Sequence, residues 1–294
     1  MKVALYGQYY LVSTEPIIKD IFVFFNENQV EMVIEATFLD MLYEKKIVRK
    51  EYKTFSSHTE LDSSFDMLIS IGGDGTMLRA VTLVRNSGVP LLGINAGRLG
   101  FLANVQKENI AAFMQLVLDK KYTLSKRTLL SLSCSPENET ILDINFALNE
   151  VTVSRKDSTS MITIETYLNG EFLNSYWADG LIIATPTGTT GYSLSCGGPI
   201  LTPDVKSLVI TPIAPHNLNA RPLVIADDTE IVLRVTGRED HYLVSLDSRI
   251  TTVQNESVLT IKKTPFQINM IEIQEETFLK TLRNKLLWGE DRRN

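Results

Sequence analysis

Apolar residues in the first 105 positions come in two alternating rhythms. Short unbroken runs, "KVALYG" (2–7), "EMVIEA" (31–36), "DMLISI" (66–71) and "VPLLGIN" (89–95), have the continuous hydrophobicity of strands buried on both faces. Helical patterns lie between them. "STEPIIKDIFVFFNE" (13–27) carries Pro16 in its first turn. "GTMLRAVTLVRNSG" (75–88) is apolar at Met77, Leu78, Val81, Leu83 and Val84 and is stopped by Gly88. "KENIAAFMQLVLDKK" (107–121) is one more helix. This alternation predicts a parallel sheet with helices on its faces.

After residue 121 the period falls to two. "YTLSKRTLLSLSCS", "TILDINFALNEVTVSR" and "SMITIETYLNGEFLNSYWADG" carry β-branched and aromatic residues on alternate positions. Asn169-Gly170 between two such runs is a strong hairpin signal. Strand patterns continue through "KSLVITPI", "RPLVIADDTEIVLRV", "YLVSLDSR", "SVLTIKK" and "FQINMIEI", whereas "EETFLKTLRNKLLWG" (275–289) is helical again. The expected organisation is an α/β domain over 1–121, a β-rich domain over 122–272, and a C-terminal segment, 273–294, that packs back on the first.

Charge and composition narrow the chemistry. A net charge of −6 argues against a nucleic-acid footprint, and the basic run "EKKIVRKEY" (44–52) reads as a solvated face. Cys134 and Cys196 make neither a disulfide framework nor a metal-ligand cluster. No apolar stretch reaches the roughly 20 residues that span a bilayer, and "MKVALYGQYY" is too short in its apolar run for a signal peptide. A soluble cytoplasmic protein is the expectation.

The candidate chemistry centres on Gly72-Gly73-Asp74-Gly75-Thr76, where an apolar strand turns into a helix. The turn admits two readings. Glycines permit a tight strand-to-helix corner that Asp74 caps. Alternatively, bare backbone N–H groups at the helix N-terminus cradle phosphate, and a carboxylate there serves a metal or accepts a proton in phosphoryl transfer. Neither the P-loop pattern nor a G-x-G-x-x-G fingerprint is present.

Two more stretches carry polar groups in unusual places. "ADGLIIATPTGTTGYSLSCGGPI" (178–200) crowds Thr185, Thr187, Thr189, Thr190, Tyr192, Ser193 and Ser195 among Gly188, Gly191, Gly197 and Gly198, a surface suited to a polyhydroxylated, phosphorylated ligand. Asn149-Glu150 interrupts the apolar strand pattern of "ALNEVTVSR". One of the pair faces inward by alternation, as a ligand-binding group or as a satisfied turn or edge pair.

Together, "GGDGT" (72–76), "GINAGRLGFLA" (93–103), Asn149-Glu150, "DGLIIATPTGTTGYSLSCGGPI" (179–200) and "PHNLNARPLV" (215–224) resemble the NAD kinase family in order and spacing. The resemblance implies an N-terminal α/β domain and a C-terminal β-rich domain with the active site in the crevice between them. It implies transfer of the terminal phosphoryl group of ATP, or of polyphosphate, to the adenosine 2′-hydroxyl of NAD. A divalent ion, Mg²⁺, would accompany ATP, and a homodimer or homotetramer without nucleic-acid or membrane partners is expected. Carried over by position, Asp74 is the proton acceptor or orients the hydroxyl. Gly72, Gly73, Gly75 and Thr76 form the phosphate turn, Arg79 reaches a phosphate, and Phe101 covers the ligand. Asn149 and Glu150 hold ribose and adenine, and Asp179 accepts from the carboxamide. Thr187, Thr190, Gly191, Tyr192, Ser193, Leu194 and Ser195 line the nucleotide. The chain departs from the family at Thr189 (usually serine) and Gly191 (usually alanine). It also carries Trp177 and Ser160 where basic residues are common, and Arg249 where many bacterial members have glutamine; these three are secondary candidates.

Overall fold

The computed structural model describes residues 1–8, 14–97, 100–103, 105, 110–157, 160–273 and 277–288. The chain divides into two compact units, Met1–Lys126 with Ile268–Asn294, and Arg127–Gln267. In chain order the first contains β1 (Lys2–Gly7), α1 (Glu15–Glu27), β2 (Glu31–Glu35), α2 (Ala36–Glu44), β3 (Lys53–Phe55), β4 (Met67–Gly72), α3 (Asp74–Val84), β5 (Leu91–Asn95), α4 (Ile110–Leu118) and β6 (Thr123–Arg127). The second runs through β7 (Leu130–Ser135), α5 (Glu139–Asp143), β8 (Phe146–Ala147), β9 (Glu150–Ser154), β10 (Ile162–Leu168), β11 (Glu171–Ala178) and β12 (Gly180–Ala184). It continues with α6 (Tyr192–Ser195), β13 (Ser207–Ile213), β14 (Leu223–Ala226), β15 (Ile231–Thr236), β16 (His241–Leu246), β17 (Arg249–Gln254) and β18 (Val258–Lys263). The chain then returns to the first unit with β19 (Ile268–Glu272) and α7 (Phe278–Leu286). Of the C-terminal segment expected over 273–294, residues 274–276 and 289–294 lie outside the described residues.

Among the described residues the first unit holds a seven-stranded sheet in the order β3-β2-β1-β4-β5-β19-β6. The pairs from β3 to β5 are all parallel. That arrangement explains the unbroken apolar runs: β1 and β4 are buried along nearly their whole length because helices cover the sheet. The helix α1 buries Ile17, Ile18, Ile21, Phe22 and Phe25, a stripe at helical spacing that joins α2, α4 and the strands in one core. The helix α2 follows β2 with no intervening turn. Its N-cap is Glu35, whose carboxylate accepts from the Phe38 N–H at 2.8 Å, and glutamate is not a residue that announces a helix start.

The second unit contains two six-stranded sheets, β11-β10-β15-β18-β7-β8 and β14-β13-β12-β9-β16-β17. Leu132, Ile164, Leu233 and Leu259 from one sheet share a core with Val151, Ile183, Ile210 and Val244 from the other. Asn169 and Gly170 both have positive φ and join β10 to β11, as the sequence predicts. The pattern of "TILDINFALNEVTVSR" is not wholly strand, because Glu139–Asp143 forms the short helix α5. Asn138 caps it, accepting from the N–H groups of Thr140 and Ile141. Two strands from the period-two stretch, β6 and β19, belong to the seven-stranded sheet.

The strand β5 sets the position of the segment that follows it. Asn95 donates its N–H to Val105 at 2.8 Å, and Leu102 and Ala103 lie flat on Gly93. A Cβ at 93 would fall 2.8 Å from Met77 Sδ, 2.9 Å from Ala103 Cα and 3.0 Å from the Leu102 carbonyl oxygen. Two of those three neighbours are backbone and cannot swing away. Gly93→Ala is therefore expected to lower stability by about 1–3 kcal/mol, read by urea denaturation. A wild-type unfolding midpoint would show that the 102–103 backbone yields freely.

Candidate active site

The turn between β4 and α3 presents Gly73 and Gly75 to solvent and buries Thr76. Gly73 is the helix N-cap, and its carbonyl accepts from the N–H groups of Thr76 and Met77. No side chain caps α3, so the helix-cap reading of Asp74 is not what the fold realises. The carboxylate instead turns to the segment after β5. Its Oδ2 accepts from the Phe101 N–H at 2.9 Å, and Oδ1 accepts from Leu102 and Ala103 at 3.0 and 3.1 Å. Three amides thus hold the anion, and Oδ2, with one amide donor, keeps room for a further hydrogen bond. Gly100 makes this possible, because a Cβ there would fall 1.9 Å from Asp74 Oδ1. Phe101 is half-buried, and the Lys285 ammonium of α7 sits 5.6 Å from its ring centroid. Arg79 is exposed one turn into α3. Arg98 and Leu99 of the same glycine-containing segment lie outside the described residues.

In the second unit, Asn149 precedes β9, Glu150 begins it, and both meet the turn around Gly191. Glu150 is buried, and among the described residues its Oε2 has no hydrogen-bond partner; the same holds for the buried Asn149 Oδ1 and Thr187 Oγ1. Buried polar atoms left without partners are uncommon. Burial and the nearby Asp247 carboxylate push Glu150 up to about 8, against a backbone N–H from Tyr192 that favours the anion.

Most hydroxyls of the 185–195 segment are used by the segment itself. Thr185 donates to the Leu148 carbonyl, Thr189 to Pro186 and Thr190 to Thr187, while Ser193 shares a 2.8 Å hydrogen bond with Thr211. The short 3₁₀ turn Thr187–Thr190 and α6 therefore explain much of the hydroxyl crowding. Tyr192 and Ser195 are exposed, while Gly191 and Leu194 are half-buried. Asp179 pairs with Arg155 at 3.1 Å. Trp177 is 47% exposed and packs against His216 with the rings tilted by 54° and 4.4 Å between centroids. Ser160 is half-buried before β10. Arg249 donates to the carbonyls of Ile144 and Phe146 and is occupied in holding that backbone.

Sequence reasoning did not single out Gly100, Asp247, Arg155 or Lys285. Asp247 accepts from the N–H groups of Leu148, Asn149 and Glu150 at 2.9, 2.7 and 3.2 Å, and so fixes the backbone of the Asn149–Glu150 pair. Its only sequence signal is its place beside Arg249 in the "LDSR" turn.

A parallel-sheet unit with an oriented carboxylate at a glycine-rich strand-to-helix turn, followed by a β-rich unit, is an architecture that phosphotransferases use. Residues 17–122 match the model of the ATP-NAD kinase N-terminal domain, and residues 148–273 match that of the ATP-NAD kinase C-terminal domain. The NAD kinase of Flavobacterium johnsoniae is 77% identical over 294 residues, all of both chains. That of Bacteroides fragilis is 41% identical over 293 residues, again spanning both chains. The chain belongs to the ATP-NAD kinase family. Solved structures agree in fold. Yeast NADH kinase complexed with NADH superposes with a TM-score of 0.89 at 22% identity, covering 99% of this chain and 89% of that one. An Archaeoglobus fulgidus NAD kinase in complex with ATP gives 0.75 at 24% identity, covering 98% and 99%.

The contact between Gly100 and Asp74 yields a test that leaves the carboxylate chemistry in place. Gly100→Ala should displace Asp74 and lower turnover about 100-fold, the scale of a misplacement of about 1 Å. Steady-state kinetics with a circular-dichroism melt checks this; unchanged turnover would mean that Asp74 need not sit where these amides hold it.

Proposed function

We propose that this chain transfers the terminal phosphoryl group of ATP to the adenosine 2′-hydroxyl of NAD, giving NADP and ADP. The observation that carries this reading is Asp74, an oriented carboxylate on the first residue of α3, beside the exposed backbone of Gly73 and Gly75. In this reading the N–H groups of residues 73–75 at the α3 N-terminus receive donor phosphate oxygens, with Arg79 as a further cation. The acceptor oxygen attacks the terminal phosphorus, the phosphoanhydride bond to ADP breaks, and the hydroxyl proton passes to Asp74 Oδ2. Asn149, Glu150 and Thr187 supply polar groups for the adenosine half, Tyr192 offers a ring face, and Asp179 accepts from the nicotinamide carboxamide. Such hydrogen-bonding sites reject a ligand that lacks the matched polar group far better than apolar pockets do.

The metal in this reading arrives with the substrate as MgATP, where it neutralises donor phosphate charge. Among the described residues no group of three or more His, Cys, Asp or Glu side chains could hold an ion, and Asp74 is already bound by three amides. A homodimer or homotetramer also belongs to this reading. Support comes from β14, which ends its sheet and exposes Leu223 and Val224. No described helix is long and apolar enough to cross a membrane.

Incubation with MgATP and NAD, followed by an NADP-specific dehydrogenase, tests the activity directly. Asp74→Asn should lower turnover at least about 100-fold, because it removes the proton acceptor, while NAD binding measured by calorimetry persists. Near-wild-type turnover would remove Asp74 from the chemistry. Chelation should abolish turnover, and Mg²⁺ or Mn²⁺ should restore it. Stoichiometric zinc required for activity would contradict a substrate-borne ion.

A further inference from the structure

Two carboxylates of the second unit, Glu150 and Asp247, influence each other, and Asp247 binds the backbone that carries Glu150. All three amides of Leu148, Asn149 and Glu150 point at Asp247, at 2.9, 2.7 and 3.2 Å. The Asp247 N–H in turn donates to the Glu150 carbonyl at 3.0 Å, which closes a reciprocal clasp. Asp247 sits at φ +55° in the two-residue turn between β16 and β17, a conformation that Asp tolerates better than most residues. Arg249, two residues on, adds a nearby positive charge. Glu150 has no such set of donors. It is buried, its Oε2 has no partner among the described residues, and one backbone N–H from Tyr192 is its counterpart.

We propose that Asp247 is a positioning residue that, by taking the three amides as an anion, leaves Glu150 as the neutral acid and so presents an O–H donor to the nucleotide. Two adjacent carboxylates in a poorly hydrated site do not both ionise readily, and the one with more donors keeps the charge. The nucleotide group recognised is then a hydrogen-bond acceptor, such as a ring nitrogen or a ribose oxygen, and not only a hydroxyl donor. Asp247 fixes both where Glu150 points and which of its two protonation states meets the ligand.

The other groups around Glu150 do not reverse this assignment. From α6 comes the backbone N–H of Tyr192, and burial pushes both the Tyr192 phenol and the Cys196 thiol up from their usual values. From the β16–β17 turn come Asp247 and, behind it, Arg249, while β12 faces Glu150 with Ala184. Burial is the largest influence on Asp247 and leaves it raised, while three amides and Arg249 favour its anion; burial and the Asp247 charge together raise Glu150 to about 8. Glu150 therefore keeps its proton below about pH 8 and loses it above.

This inference rests on the proposed reading that Asn149 and Glu150 meet NAD, and NADP formation at pH 7 tests that reading separately. NAD affinity, measured by calorimetry without ATP, should be full at pH 7 and about tenfold weaker at pH 9, because binding draws on the protonated form. Asp247→Asn removes the like charge and two-sided acceptor. It should weaken NAD at pH 7 at least about fivefold and move the midpoint of the pH profile to lower pH, with a smaller effect on kcat at saturating NAD. Glu150→Gln, whatever its absolute affinity, should lose the pH dependence between 7 and 9; it serves also if the Asp247 variant does not fold. An NAD affinity that is flat from pH 7 to 9 in a chain that makes NADP overturns this inference alone. So does an Asp247→Asn profile lowered equally at every pH with its midpoint unmoved. A chain that makes no NADP overturns the reading and the inference together.

Discussion

The placement of Asp74 depends on a backbone approach that only glycine allows. Its carboxylate is gripped by three successive amides from a segment 27 to 29 residues further along the chain. That grip needs Gly100 at one end and the bare surface of Gly93 beneath Leu102 and Ala103. An ionised group at a helix start is otherwise free to cap its own helix or to swing into water. Here it is bound at both oxygens, so the entropy of ordering it is already spent when a substrate arrives. The strand-to-helix turn and the segment after β5 thus act as one object, although each is a loop.

The second unit repeats the same physical device on an unrelated scaffold. Asp247 is also held by three successive amides, those of Leu148 to Glu150. In one case the gripped carboxylate faces the reacting hydroxyl in the proposed mechanism; in the other it holds the backbone of Asn149 and Glu150. Backbone amides are well suited to such tasks, because they do not ionise in this range and the chain around them fixes their positions. The oxygens of Asn149, Glu150 and Thr187 that lack partners among the described residues lie just before β9, at its start, and in the 3₁₀ turn Thr187–Thr190.

What the sequence discloses follows from range. Local rules read the alternation of β1, α1, β2, β4, α3 and β5, and the Asn169-Gly170 hairpin, because each needs only a few neighbouring residues. They miss α2, whose cap is a glutamate, and α5, which hides in a strand-like pattern. The placement of β6 and β19 in the seven-stranded sheet is equally out of reach, since a strand's period does not name its partner. At the site, the Gly-Gly-Asp-Gly turn is conspicuous because glycines around a charge are locally odd. Gly100 and Asp247 are not, since their meaning lies in contacts across 26 and 97 or more positions. The hydroxyls of 185–195 stand out in the sequence, and Thr185, Thr189, Thr190 and Ser193 also make bonds within the second unit that no local rule foretells.

The return of β19 to the first sheet has a bearing on how the chain is made. On a ribosome the strands β1 to β5 emerge early, but β19, which lies between β5 and β6, emerges only after the entire second unit. Until then the edge of β5 is met only by Val105 near Ile94, and β6 lacks the strand it pairs with. Vectorial synthesis therefore delivers a complete β-rich unit before the first sheet can close, so the nascent protein carries an unfinished sheet for the time needed to translate about half its length.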